Sequence, residues 1–143
     1  MKAQIACLSL CLSLTGMLAS TAAHAAPPPF VTMDHSSETL MDKATARKLW
    51  GEHLSLKIAR LYPPKKWGFL SEVEGGFTDS KLCVVTARAM LMPRAGKSLT
   101  FSPAKTATTF DSVPNATMSQ CRALAKTKLD EAIGSMLASL AAS

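Results

Sequence analysis

Residues 81–92 read KLCVVTARAMLM, and this stretch decides the fold because small and apolar side chains recur at every second position. Successive side chains of a strand point to opposite faces of a sheet. One face carries the residues that we predict to line the core: Cys83, Val85, Ala87, Ala89 and Leu91. The other face carries Leu82, Val84, Thr86, Arg88 and Met90. The stretch therefore predicts a strand with one buried face.

The segment before this strand predicts its partner. Its more apolar positions are Trp67, Phe69, Ser71 and Val73, which alternate with Gly68, Leu70, Glu72 and Glu74. This period is typical of a second strand. Gly75-Gly76 follows and, with Thr78-Asp79-Ser80, favours a hairpin turn between the two strands.

The segment after this strand is more interrupted. Pro93-Arg94-Ala95-Gly96 is typical of a second turn. Residues 99–101 and 106–110 have extended patterns, and Pro103 lies between them. Residues 97–112 therefore predict either two short strands or one bent edge strand.

Segments with helical spacing of apolar residues precede and follow the predicted strands. A first helix is predicted from near Thr39, where Thr39-x-x-Asp42 resembles a capping box, to Pro63-Pro64. Its apolar stripe is Ala46, Leu49, Trp50, Leu54, Ile58 and Leu61. A last helix is predicted from about Met118 toward Ala141, after a second capping-box match at Thr117-x-x-Gln120. Its stripe is Cys121, Ala125, Leu129, Ala132, Ile133, Met136 and Leu140.

This order predicts a single small α+β domain, in which a helix precedes a three- to four-stranded antiparallel sheet and a second helix follows. Both helices are expected on one face of the sheet. Cys83 lies on the predicted inner face and Cys121 on the stripe of the last helix, so we predict one disulfide between them. No Cys-x-x-Cys spacing is present, which favours a structural role.

Residues 1–25 predict a secretory signal peptide. A basic start, an apolar run from Ile5 to Leu18 and the small-x-small Ala23-His24-Ala25 fit cleavage near Ala25. The run is shorter than the about 20 residues that span a bilayer, so no transmembrane segment is expected in the mature chain. Cleavage would remove Cys7 and Cys11 and leave a periplasmic or secreted protein with two cysteines.

Two further segments follow the cleavage site. Ala26-Pro27-Pro28-Pro29-Phe30 opens the mature chain, and three consecutive prolines do not fit a helix interior or a central strand. We predict a Pro-rich flexible leader over 26–38 and the folded domain over 39–143.

The formal net charge of +6 describes a moderately basic protein, and Lys2 would leave with the signal peptide. One interpretation is an ordinary charged surface. The other is attraction to anionic envelope polymers or lipid. Nucleic acid is not expected as a partner, because export takes the protein out of the compartment that holds nucleic acid.

The densest basic and aromatic cluster is the candidate binding surface. It consists of Lys65, Lys66 and Trp67, joined by Arg60. An indole beside ammonium groups suits sugar rings or lipid headgroups, while lysines hold phosphate. The alternative is that Trp67 anchors the first strand in the core and the lysines form a solvated turn.

We predict no catalytic residues. His35 lies in the predicted leader, and His53 has no nucleophile or carboxylate in a local motif. Glu72 and Glu74 share a strand face, as paired carboxylates of a glycosidase would, but they lie beside the Gly-Gly turn. A solvated strand end is the simpler interpretation.

Met90 and Met92 are the candidate metal ligands. Thioethers two residues apart on a strand project together and suit Cu(I), a metal met outside the cytoplasm, and Met33 and His35 in the leader would add ligands. Methionine is also an ordinary core residue, and two thioethers alone make a poor site. We therefore predict no metal and no cofactor.

These observations favour a non-enzymatic binding or interaction protein of the cell envelope. Its contact surface would be an exposed sheet edge or the cluster at Arg60 and 65–67, and its partner an envelope protein. The first alternative is direct binding of anionic envelope polymers or lipid. The second is a small hydrolase built from His53 with Glu72 or Glu74.

Overall fold

The computed structural model describes residues 30–142. The predicted signal peptide and residues 26–29 of the predicted leader lie outside the described residues. The elements, in chain order, are β1 (Thr32–Asp34), α1 (Lys43–His53), α2 (Leu56–Leu61), β2 (Trp67–Phe77), β3 (Leu82–Ala95), β4 (Ser98–Leu99), β5 (Lys105–Pro114) and α3 (Met118–Ala141).

The sheet is built around β3. On one side β3 pairs antiparallel with β2, from Phe77↔Cys83 to Trp67↔Pro93. On the other side it pairs antiparallel with β5, and its last residues pair with β4. β1 adds to the free side of β2 in parallel orientation. The predicted α+β domain is confirmed, although the sheet has five strands and is mixed rather than purely antiparallel.

The core lies between the sheet and the helices. The predicted inner face of β3 is buried, with Cys83 0% and Leu91 2% exposed. The predicted stripe of α3 is buried as well, from Cys121 to Leu140. Trp50 of α1 packs against Phe69 of β2 with ring centroids 5.3 Å apart and the ring planes tilted by 45°. Both helical regions therefore cover the same face of the sheet, as predicted.

The predicted disulfide joins this face to α3. Cys83 and Cys121 are bonded, with their Cα atoms 5.8 Å apart and both side chains fully buried. The capping box at the start of α3 is also confirmed, since the Thr117 side chain accepts from the Gln120 N–H and the Gln120 side chain accepts from the Thr117 N–H.

The predicted first helix is two helices. α1 begins after Asp42, whose carboxylate accepts hydrogen bonds from the Thr45 hydroxyl and N–H, and these bonds lower the pKa of Asp42. The chain leaves helical conformation after His53 and re-enters it after Ser55, whose hydroxyl accepts from the Ile58 N–H. Serine competes for backbone hydrogen bonds and favours a cap over a helix interior.

The folded domain begins earlier than residue 39. Thr32–Asp34, which we assigned to the flexible leader, pair with Phe69–Ser71 of β2. The Asp34 carboxylate accepts from the Ser71 hydroxyl at 2.7 Å, and the His35 N–H donates to the Ser71 carbonyl. This strand is only three residues long and polar at its end, so it lacks the alternation that sequence patterns detect.

The segment after β3 forms two separate strands. β4 is two residues long and pairs with Arg94 and Ala95, whereas β5 is a continuous strand of ten residues. Pro103 lies in the connection between them. Among the described residues, no helix has the length and apolar character needed to cross a membrane.

The disulfide should contribute a large part of the stability. It closes a loop with a sequence separation of 38, and the chain-entropy model gives about 4 kcal/mol for a loop of that length. We expect the Cys83→Ala/Cys121→Ala double variant to lose about this free energy of unfolding in urea titrations. Adding reductant should destabilise the native protein and leave the double variant unchanged. Equal sensitivity of both proteins to reductant would contradict the assignment.

Gly75 is required by the β2–β3 hairpin. Its φ is +135°, and a Cβ there would lie 2.0 Å from the Val84 carbonyl oxygen. We expect Gly75→Ala to lower the free energy of unfolding by roughly 1–3 kcal/mol from backbone conformation alone, and the displaced Val84 backbone adds to this. Gly51→Ala is the control, because its helical site is open. It should raise stability by about 0.5–1 kcal/mol. If Gly75→Ala left the free energy of unfolding unchanged, the backbone at Gly75 would have to differ from the one described.

Candidate functional site

The second face of the sheet carries no helix of the described chain. We call it the outer face. The β2–β3–β5 registers place three rows of side chains across it: Leu70, Met90 and Thr106; Glu72, Arg88 and Thr108; Glu74, Thr86 and Phe110. Met33 of β1 extends the first row beyond Leu70. The rows make one end of the face apolar, the middle charged and the other end aromatic.

The apolar end is a groove. We call it the methionine groove, a cavity of about 580 Å³ whose lining includes Met33, His35, Leu70, Met90, Met92, Leu99 and Phe101. Leu70, Met90 and Met92 are buried and pack with Leu99. Leu99 can pack this closely because residue 68 of β2 is a glycine. A Cβ at Gly68 would lie 2.6 Å from a methyl group of Leu99.

The middle of the outer face is held by an ion pair. Arg88 Nη1 donates to Glu72 Oε2 at 2.8 Å. This hydrogen bond, with the nearby charge of Glu72, raises the pKa of the Arg88 guanidinium. Glu72 is therefore engaged by its neighbour on β3 and is not poised as a free acid or base.

β5 has one unpaired side within residues 30–142, because it pairs with β3 alone. Beyond its end, the Asn115 N–H donates to the Lys81 carbonyl at 3.0 Å in the same register. Hydrogen-bonded positions recur at every second residue of an antiparallel ladder. The odd-numbered residues of β5 therefore bond to β3, and the even-numbered ones direct their N–H and C=O groups away from it. On β3, the even-numbered residues bond toward β2 instead. The Arg94 N–H, which donates to the Lys66 carbonyl, is one of these bonds.

The even-numbered residues form what we call the β5 edge: the outward backbone groups of Thr106, Thr108 and Phe110. The next outward N–H, that of Ser112, donates to the Asp111 carboxylate at 2.7 Å and is satisfied locally. The Phe110 side chain stands on the outer face and is 79% exposed. The β5 edge thus combines unpaired main-chain groups with an exposed aromatic ring.

The predicted basic and aromatic cluster is divided by the fold. Arg60, Lys65 and Lys66 are exposed, whereas Trp67 is half-buried, with its ring edge against Tyr62 at 5.7 Å between centroids. The Lys66 carbonyl accepts from the Arg94 N–H, which fixes this turn against the end of β3. The lysines are thus exposed, while the indole is partly packed against Tyr62 and the core.

The residues considered for hydrolysis lie on opposite sides of the sheet. His53 Nε2 is 2.8 Å from Asp130 Oδ1, a contact that joins α1 to α3 on the helical side. Glu72 is on the outer face with Arg88, and Glu74 is exposed on the same face. The described structure gives these groups no common cleft.

The residues considered for metal binding are brought together. Met90 and Met92 line the methionine groove, and so do Met33 and His35. Sequence patterns do not reveal this grouping, because they place Met33 and His35 in the predicted flexible leader rather than on a strand. The parallel register of β1 against β2 places Met33 beside Leu70, and therefore in the row of Met90.

The comparisons with known proteins add no functional evidence. No protein-family model, curated protein or solved structure matches the chain. The candidate sites thus depend on the geometry described above.

A matched pair of phenylalanines tests the two faces of the sheet. Phe69 on the inner face is 1% exposed and Phe110 on the outer face is 79% exposed. We expect Phe69→Ala to lower the free energy of unfolding by about 3–5 kcal/mol and Phe110→Ala to change it by less than about 0.5 kcal/mol. Denaturant unfolding of both variants gives the comparison. A large loss from Phe110→Ala would mean that the outer face is covered.

Proposed function

We propose that the protein is an exported, non-enzymatic interaction protein of the cell envelope that binds an extended segment of a partner protein by strand addition at the β5 edge. The observation that carries the proposal is that the outward backbone groups of Thr106, Thr108 and Phe110 have no partner among residues 30–142. In strand addition, main-chain hydrogen bonds supply affinity and neighbouring side chains supply specificity.

The composition of β5 supports this use of the edge. Proteins usually protect an edge strand with charges, prolines, bulges or short length. β5 is ten residues long, and its segment 106–110 reads TATTF, without a charge or a proline. Lys105, Asp111 and Pro114 stand only toward its ends. Residues 106–110, whose even-numbered members form the β5 edge, therefore lack the charges and prolines that protect edge strands.

The side chains beside the edge define the partner segment. It would place an apolar side chain next to Phe110 on the outer face. On the inner face, opposite charges directly across a strand pair stabilise it, so an acidic residue is favoured opposite Lys105, whereas Asp111 is already paired with Lys128 of α3 at 3.5 Å. The expected partner is thus an extended, β-forming segment with an apolar residue beside Phe110 and an acidic residue opposite Lys105.

Export is supported by the disulfide. Buried disulfides persist in oxidising compartments outside the cytoplasm, and the bond between Cys83 and Cys121 is fully buried. It fits the export predicted from residues 1–25. Binding to an envelope protein requires that the chain be exported from the cytoplasm.

Proline at position 108 tests the proposal. Thr108→Pro removes one outward N–H without removing a hydrogen bond to β3, and Thr108→Ala keeps that N–H. With a photoreactive benzoylphenylalanine at position 110 of the full exported chain, we expect a discrete protein adduct in envelopes from the Thr108→Ala background. The Thr108→Pro background should lose about tenfold in adduct, the scale of one lost main-chain hydrogen bond. Equal adducts in both backgrounds would contradict strand addition.

The same experiment separates the alternative of binding to anionic polymers or lipid. That alternative is favoured by Arg60, Lys65 and Lys66, which are exposed and make no ion pair with another described residue. Attraction between exposed charges weakens as salt shortens the Debye length. Envelope retention that falls steeply with salt and with Lys65→Glu/Lys66→Glu, but is indifferent to Thr108→Pro, would support the alternative.

A further inference from the structure

We propose that the methionine groove binds Cu(I) through the thioethers of Met33, Met90 and Met92 and the imidazole of His35. All four residues line the same cavity. The site lies at the apolar end of the outer face. It involves none of the backbone groups of the β5 edge, so it does not depend on strand addition.

The sheet register positions the donors on two strands that flank β2. Met33 and His35 come from the β1 segment, and Met90 and Met92 from β3. Met33 and Met90 both stand beside Leu70, one on each side. Residues two apart on a strand share a face, so each flanking segment presents both of its donors to the groove.

The spacing suits long side chains. Neighbouring strands lie about 4.8 Å apart, which puts the Cα atoms of Met33 and Met90 about 10 Å apart across Leu70. Methionine is unbranched and has three rotatable bonds. Its thioether can therefore reach from either flank to an ion held above Leu70. The His35 backbone is fixed by its N–H, which donates to the Ser71 carbonyl at 2.9 Å.

The donor set selects the metal. Thioethers favour Cu(I), whereas Mg²⁺ and Ca²⁺ require oxygen ligands. Among the described residues, no group of three or more His, Cys, Asp or Glu side chains is placed to hold a metal ion. The groove offers a soft donor set, and its neighbouring charges are Lys97 and Glu72, the latter paired with Arg88.

Packing alone does not account for these residues. Met90 and Met92 are buried and could serve as core side chains, but Met33 is 42% exposed and His35 is exposed as well. Exposed thioether and imidazole groups beside buried thioethers gain little from packing. Leu70 and Leu99 supply an apolar floor beside the donors, and the exposed Phe101 lies at the rim of the groove.

Competition for Cu(I) tests the proposal. The chain purified after export, which is predicted to lack Cys7 and Cys11, is titrated anaerobically against a chromogenic Cu(I) chelator, with Cu(I) alone as the ligand. We expect one equivalent to bind. Met33→Leu, Met90→Leu and Met92→Leu, which keep the apolar volume, and His35→Ala should each weaken binding by at least about tenfold, a loss that even outer-shell partners of metal sites produce. X-ray absorption should show sulfur and nitrogen ligands together.

Met118→Leu is the matched control, because Met118 is 45% exposed and lies outside the groove. It should bind Cu(I) as the native chain does, and thermal melts should show every variant folded. The proposal would be overturned if Met118→Leu weakened Cu(I) binding as much as the groove variants do. So would a native chain that fails to compete, or that takes up Cu(I) without sulfur ligands. Thr108→Pro should leave Cu(I) affinity unchanged, which separates this result from that of strand addition.

Discussion

The buried bond between Cys83 and Cys121 is the constraint on which the arrangement of this protein depends. It fixes the N-terminal part of α3 against the inner face of the central strand β3, and both sulfur atoms lie within the core. Because successive side chains of β3 alternate between faces, fixing one face to the helix directs the other away from it. The methionine groove and the exposed Phe110 ring lie on the face that this asymmetry leaves without a helix.

The asymmetry separates stability from binding. Inner-face residues such as Val85 and Leu91 are buried under the helices, and α3 also reaches β5, where the Thr109 hydroxyl donates to the Lys128 carbonyl. The outer face has the Glu72–Arg88 ion pair at its centre, with a groove on one side and Phe110 on the other. The groove and the β5 edge can therefore serve different ligands. Neither use requires catalytic chemistry.

The inner half of the structure could be predicted from sequence, for a physical reason. Long elements with a strong period, such as β3 and α3, carry their burial pattern in their own residues, and the disulfide followed from placing Cys83 and Cys121 on those patterns. Shorter elements depend on tertiary pairing. β1 is three residues long and exists as a strand only through its hydrogen bonds to β2. Ser55, a good helix cap, divided a stripe that otherwise reads as one helix.

The candidate sites were harder to predict, because they depend on register between elements. The methionines of β3 were recognisable as soft ligands, but the parallel pairing that brings Met33 beside them leaves no local signal. The basic cluster had a local signal, yet half-burial of Trp67 divides it. The open side of β5 follows from the strand order, which alternation within one strand does not encode.

Amide hydrogen exchange in β5, resolved residue by residue by NMR, shows directly whether the β5 edge is open. We expect slow exchange at Ala107, Thr109 and Asp111, whose N–H groups bond to β3, and fast exchange at Thr106, Thr108 and Phe110. Alternating protection of this kind would establish an edge open for pairing. Uniform protection along β5 in the isolated protein would contradict an open β5 edge, because it would show that the edge is already occupied.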